Sequence, residues 1–208
     1  VSLNSTTVNK SLDNIGSGIS SKGVQARLKG GESESGNGAG VSVVINNITT
    51  RSQSVIESGT TLYADNLLVQ SDTEVFQTTL GKVSGNATAN LGMAGLYIGN
   101  NIDTTAVAQI ESGVDAEVGT RLATVAGTER LSVITDNTVN LIVVAGALSK
   151  AGSVSVGASA AVSDITKTTK ALVGTEGDNI TVAGSINVNG DARVEADSNG
   201  VIVGMALG

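Results

Sequence analysis

The sequence predicts an all-β chain built of stacked repeats, and three observations support this fold class. Short segments recur along the chain, polar and apolar residues alternate within them, and the composition favours strands. Recurrence at a fixed period is typical of supersecondary units that bury their apolar sides against one another. We therefore expect a parallel β-helix, or β-solenoid. The alternative that stays open is a row of small antiparallel β-sandwiches.

The repeat is degenerate but visible in three families of segments. They are residues 46–50, repeated at 100–105 and more weakly at 163–166; residues 56–59, repeated at 110–113; and residues 141–148, repeated at 201–207. The copies are offset irregularly, which indicates units of roughly 54–63 residues, near the longest periods of stacked repeats. We expect positions 1–208 to form one continuous segment of about three and a half such units, taken from a longer chain.

The local pattern within the units is that of strands. Asn187 separates Ile186 from Val188, and such alternation indicates a strand with one buried face. The chain has 27 glycines and no proline, so turns rest on Gly, Asn and Asp and no residue breaks a strand ladder. We expect strands of about four to eight residues, a hairpin at the start of each unit (141–158 in one copy), and two or three coils of roughly 20 residues per unit.

The composition excludes several kinds of function. Histidine and cysteine are both absent, which removes Ser-His-Asp and Cys-His catalysis and any thiolate metal site. The net charge is −7 and the 12 basic residues are scattered, which argues against nucleic acid as a partner. The longest apolar stretch, at 141–148, is far shorter than the roughly 18 residues that a membrane-spanning helix needs. The sequence predicts no catalytic residue, no cofactor, no metal ligand and no membrane-embedded segment.

Acidic residues are the remaining candidates for chemistry. Three pairs lie close in sequence, and four Asp/Asn segments offer oxygen ligands of the kind that calcium prefers. The pairs are Asp72 with Glu74, Asp115 with Glu117 and Asp191 with Glu195; the segments are 65–66, 136–137, 178–179 and 197–199. Solvated strand faces and ordinary turns explain them more simply. The repeats show no carboxylate at an equivalent position in every copy, and the glycine-rich segment 30–40 is interpreted as a turn.

Residues 145–162 (AGALSKAGSVSVGASAAV), a Thr-rich link and residues 180–198 (ITVAGSINVNGDARVEADS) resemble the repeat regions of large exported bacterial adhesins. These are the filamentous-haemagglutinin-like and autotransporter-type β-strand repeat proteins, and the resemblance covers essentially the whole chain. It implies a right-handed β-helical stalk on the bacterial cell surface or in a secreted filament, without catalysis. The implied partners are neighbouring coils or subunits, end to end, and a host or neighbouring cell surface, with carbohydrate as one candidate ligand. The alternatives are a polysaccharide-acting β-helix enzyme or a carbohydrate-binding module.

Overall fold

The computed structural model describes residues 2–15, 38–86, 91–119, 129–174, 176 and 184–207; at 2–15, 38, 86 and 129 it describes the backbone alone. Within these ranges the chain forms ten strands and no helix. The strands are β1 (Ser2–Ile15), β2 (Gly38–Ile56), β3 (Thr61–Ala64), β4 (Leu67–Asn86), β5 (Leu91–Ile110), β6 (Asp115–Val118), β7 (Glu129–Lys150), β8 (Val154–Val173), β9 (Ile186–Val188) and β10 (Asp191–Leu207). None of the described elements is a helix able to cross a membrane.

The strands belong to three sheets, and every described pairing is parallel. The first sheet has the order β1-β4-β7-β10, the second β2-β5-β8 and the third β3-β6-β9. The chain thus visits the three sheets in turn and then returns to the first; we call one such passage a circuit. The all-β prediction is confirmed, and the antiparallel alternative is wrong for the described strands, because antiparallel sandwiches require a different ladder.

The sequence repeats stack in register. Asn46 pairs with Asn100, which pairs with Ser163, and Ile56 pairs with Ile110, as the recurring segments predict. One repeat is therefore one circuit. The expected two or three short coils per unit are wrong, because the strands of the two main sheets are 14 to 22 residues long. The last repeat is also shifted by one position from the sequence alignment, since Ile202 rather than Val201 pairs with Leu141.

The expected hairpins are wrong as well. β7 and β8 follow one another closely in the chain, but they belong to different sheets and pack face to face. Small residues explain the close approach of the two sheets. A Cβ atom added to Gly81 in β4 would lie 2.8 Å from side-chain atoms of Leu96 and Ile98 in β5. The long strands therefore close over one another as two layers, with alternate residues of each directed inwards.

The interior consists of two apolar clusters with polar rows between them. The larger cluster centres on Ile98, Ile102 and Leu141, and the smaller on Ile110 and Val133. We call the set of buried polar residues between them the polar seam. Its members are Thr50, Ser52, Ser71, Thr73, Thr104, Thr135 and Asn137, all at most 5 % exposed.

Glycines close the turns between the second and third sheets. Gly59 and Gly113 both have positive φ, at 81° and 82°, and occupy equivalent places in successive circuits. The backbone N–H of Gly59 donates to the carbonyl oxygen of Gly113 at 3.0 Å, so the turns stack like the strands. The sequence also predicts a strand at 24–28, which lies outside the described residues, as do the Asp/Asn segment 178–179 and residues 30–37 of the predicted turn. The rest of that predicted turn, residues 38–40, belongs to β2, so the prediction is wrong there.

Candidate functional site

Three aspartates form a row across the outer face of the first sheet. Asp72 in β4 pairs with Asp136 in β7, which pairs with Asp197 in β10. The residues on either side of Asp136 are fully buried, so the aspartates point away from the core. Thr6 occupies the equivalent position in β1. Three of the four strands of the sheet therefore carry an aspartate at this position, and the expectation that no carboxylate recurs in every copy is not contradicted. We call this set the aspartate row.

Two members of the aspartate row accept hydrogen bonds from polar side chains on the same face of the sheet. Gln70 Nε2 donates to Asp72 Oδ2 at 2.7 Å, and Thr138 Oγ1 donates to Asp136 Oδ1 at 2.9 Å. Strands of a sheet lie about 4.8 Å apart, so stacked carboxylates repel one another unless a cation or a proton intervenes. Arg193 forms an ion pair with Glu195 on its own strand, and the charge of Asp136 attracts that of Lys167.

The electrostatics of the row favour proton uptake. Burial raises the pKa of Asp72, the hydrogen bond from Gln70 opposes that shift, and the charge of Asp136 adds to it. The charge of Glu195 raises the pKa of Asp197, with smaller contributions from burial and from Asp136, while Arg193 opposes them. Both carboxyl groups therefore hold a proton to a higher pH than an isolated aspartate does.

The aspartate row lies in an open groove of about 440 Å³, which Glu74, Ile134 and Arg193 also line. Among the described residues, no group of three or more acidic side chains has a geometry that would hold a metal ion. A groove of this kind offers an acidic, solvated strip to a cationic or hydroxyl-rich surface. It does not form a closed ligand cage.

Two of the Asp/Asn segments that were expected in turns lie within strands. Asp136 and Asn137 are in the middle of β7, where successive side chains point to opposite faces, so they cannot share a cation. Residues 197–199 are likewise within β10. Of the three segments within the described ranges, only residues 65–66 form a bend, and there Arg130 Nη1 donates to Asn66 Oδ1 at 3.1 Å.

The other acidic pairs have separate surroundings. Asp115 and Glu117 are exposed on β6, and Asp115 Oδ1 accepts a hydrogen bond of 3.0 Å from the backbone N–H of Ser185 in the next circuit. Asp191 lies at a register irregularity in β10, away from the ion-paired Glu195. The structure thus brings Asp72 and Glu74 of β4 into the same groove as Glu195 of β10. The pair in β6, Asp115 and Glu117, lies apart from them.

A second feature of the surface is an apolar region at the opposite end of the long strands. We call it the apolar half; it comprises the outward-facing residues of 39–45, 93–99 and 154–162 in the second sheet and of 76–84, 140–148 and 201–207 in the first. Val41, Ile45 and Val154 are each 55 % exposed, and Leu148 and Val201 are comparably open. None of the described acidic side chains lies in the apolar half. Several exposed apolar side chains on one sheet face mark an interaction face more often than a lone exposed side chain does.

Comparison of the chain with protein-family models, with curated proteins and with solved structures gives no match. The physical features that bear on function are therefore the in-register stacking, the aspartate row and the apolar half. All three are properties of extended surfaces rather than of one enclosed pocket.

Proposed function

We propose that the circuits wind into a right-handed β-solenoid and that this solenoid is a stalk or filament-forming segment of an exported bacterial surface adhesin. Stacked circuits gain stability from each interface with a neighbour, so such a chain favours an elongated structure. The in-register pairing of Asn46, Asn100 and Ser163 supports this proposal. The resemblance to adhesin repeats supplies the proposed location at the cell surface.

The observation that carries the proposal is the open surface of the last circuit. Ile202 stacks on Leu141, which is fully buried, yet Ile202 itself is 63 % exposed. An inward-facing isoleucine in this state gains burial when a further circuit covers it. Among the described strands β10 pairs with β7 alone, so its other edge is available to another strand. We propose that a further circuit, of this chain or of another subunit, stacks there.

Two neighbouring residues of β10 allow a matched test. Ile202→Lys places a charge on the inward row and blocks stacking, whereas Val203→Lys places the same charge on the outer face. Sedimentation and small-angle scattering should show elongated particles whose mass rises with concentration in the wild-type chain and in V203K. I202K should stay at the smallest mass. A compact particle whose mass is independent of concentration in all three chains would contradict the proposal.

The outer surfaces of the stalk are the proposed contacts with other cells. The apolar half offers the outer faces of two sheets, whose one described charge is Lys82, and the aspartate row offers an acidic strip to hydroxyl-rich or cationic groups. A host or neighbouring cell surface, including its carbohydrate, is the partner that such a stalk would meet. Binding to immobilised glycans and to whole cells, compared between the wild type and a Val41→Asp variant, tests the apolar face.

A polysaccharide-acting enzyme is the second candidate, and the aspartate row is the observation that favours it. Paired carboxylates with unequal surroundings can divide the roles of acid and base. Asp72 and Asp136 lie on adjacent strands in an open groove, and burial raises the pKa of Asp72. Release of reducing ends from acidic and neutral polysaccharides, lost in Asp72→Asn, would establish this activity. Absence of cleavage across such a panel would leave the stalk as the better proposal.

A further inference from the structure

The polar seam contains a group of buried oxygens that have no hydrogen-bond partner among the described residues, and a neighbouring threonine of β8 adds one more. They are Thr50 Oγ1, Thr104 Oγ1, Thr135 Oγ1, Asn137 Oδ1 and Thr169 Oγ1. Thr104, Thr135 and Asn137 are fully buried. Leaving a buried polar group without a partner is destabilising, because the group has given up its hydrogen bonds to water. A cluster of them between two well-packed apolar regions therefore points to a ligand.

The oxygens face one another across the two main sheets. Asn137 Nδ2 donates to the carbonyl oxygen of Thr168 at 3.2 Å, which places Asn137 opposite the part of β8 that carries Thr169. Thr73, the partner of Asn137 in the first sheet, donates to the carbonyl oxygen of Thr105 at 3.3 Å. Thr104 therefore lies beside the same row, and in the second sheet it pairs directly with the threonine of β2.

The chemistry of the oxygens identifies the kind of ligand. All five are hydroxyl or amide oxygens without formal charge, whereas sites for divalent cations include carboxylates. Lys167 occupies the position of Thr104 in the next circuit, and its ammonium group donates to the carbonyl oxygen of Asn199 at 2.6 Å. A cation in the seam would be repelled by this ammonium group. Water requires two to four polar partners and no counter-charge.

We propose that the polar seam binds a file of ordered water molecules that link the hydroxyls of the first sheet to those of the second. A cavity of about 230 Å³ at the exposed circuit, lined by Lys167 and Ser198 among others, adjoins the seam. Ser198 pairs with Asn137, so this cavity provides the path by which water enters. The water file fixes the sheets relative to each other, because sliding one sheet along the other breaks its bridges.

The sign of one substitution separates a hydrated seam from a dry one. Thr135→Val removes a hydroxyl at nearly constant volume. In a hydrated seam it breaks a bridge and lowers the midpoint temperature of unfolding; in a dry seam it removes an unpartnered polar group and raises that temperature. Thr135→Ser retains the hydroxyl and is the matched control. Replacing sodium with potassium or with choline should leave the midpoint unchanged, and a preference for one cation would overturn the assignment to water.

Direct detection of water keeps the proposal testable if the valine variant does not fold. In the wild-type chain, nuclear Overhauser effects from water to the methyl groups of Thr104 and Thr135 should be present. Oxygen-17 relaxation dispersion should count long-lived water molecules, with fewer in T135V than in the wild type and in T135S. Absence of those Overhauser effects in the folded wild type, or an equal count in T135V, would overturn the proposal.

Discussion

Asn100 connects three circuits through a single side chain. Its Oδ1 accepts a hydrogen bond of 2.9 Å from Asn46 Nδ2, and its own Nδ2 donates to Ser163 Oγ at 3.3 Å. Asn46 also donates to Thr79 Oγ1, at 3.1 Å, on the opposite sheet. The polar side chains are therefore satisfied only in the observed register. A slip of two residues would keep them inward but would place them beside aliphatic groups.

Replacement of this asparagine should be costly. Asn100→Ala leaves the amide of Asn46 and the hydroxyl of Ser163 short of partners, and we expect a loss of about 1–3 kcal/mol in the free energy of unfolding. The matched control is Asn101→Ala on the exposed face, which should change stability by less than about 0.5 kcal/mol. Urea denaturation followed by circular dichroism measures both. Equal effects of the two substitutions would contradict the role assigned to Asn100.

The aspartate row should make stability depend on pH in a defined direction. The pKa values of Asp72 and Asp197 are raised in the folded state, so the folded chain binds these protons more tightly than the unfolded chain. The contribution of the row to stability therefore increases as the pH falls through the raised pKa values and is lost as the pH rises above them. Below the pKa of an unfolded aspartate it stays constant.

Asp136→Asn tests this electrostatic argument. The substitution removes the charge between Asp72 and Asp197, so it should raise the unfolding midpoint at neutral pH and lower the pKa of Asp72. The gain should shrink as the pH falls, because protonation already removes the repulsion in the wild type. Thermal unfolding across this pH range, with carbon-detected titration of Asp72, provides the measurement. A midpoint that falls at neutral pH would show that Asp136 has a stabilising partner.

At the scale of the element, the turn after β2 depends on one backbone conformation. Gly59 has a φ of 81°, and a Cβ added to it meets no atom within 4 Å, so the cost of a side chain there is conformational alone. Gly59→Ala should lose about 1 kcal/mol, as expected for a left-handed alanine. Gly204→Ala is the control, because the added Cβ is equally free and its φ is not positive. Equal unfolding free energies for the two variants would show that the turn relaxes.

The length of the strands could not be predicted from apolar alternation, and β7 shows why. Its inward row reads Leu131, Val133, Thr135, Asn137, Val139 and Leu141. The polar seam interrupts the apolar pattern in the middle of the strand, so one strand of 22 residues resembles two short strands separated by a link. The strands and their small-residue faces were predictable, because period-two alternation survives on either side of the seam.

The aspartate row was missed for a related reason. The step along the chain from Asp72 to Asp136 is longer than the step from Asp136 to Asp197, and both exceed the most obvious repeat offset, which is 54. Connections of different length within successive circuits produce these unequal steps. A search for carboxylates at one fixed period therefore cannot find the row. Alignment of the strands of the first sheet with one another does find it.

At the scale of the whole molecule, the circuits behave as separable units with unequal loops. In the first sheet the sequence separation of paired residues shortens slightly from each pair of strands to the next. In the second sheet it rises from 54 between β2 and β5 to 63 between β5 and β8. The strands nevertheless keep their alternation of inward and outward side chains. The additional residues of the longer circuits lie in connections between strands. Stability in such a stack is approximately the sum of the circuits and of the interfaces between them.

Deletion of one complete circuit tests this view of the molecule. Leu67 pairs with Leu131, so removal of residues 67–130 joins Asn66 to Leu131 and lets β7 replace β4 with every inward side chain still inward. We expect a folded, β-rich chain with a lower unfolding midpoint, because one set of interfaces is lost. Removal of residues 67–131 starts the strand one residue later and reverses its faces, which should abolish cooperative unfolding. Circular dichroism and thermal melts distinguish the two chains, and equal melting of both would show that register is set elsewhere in the circuit.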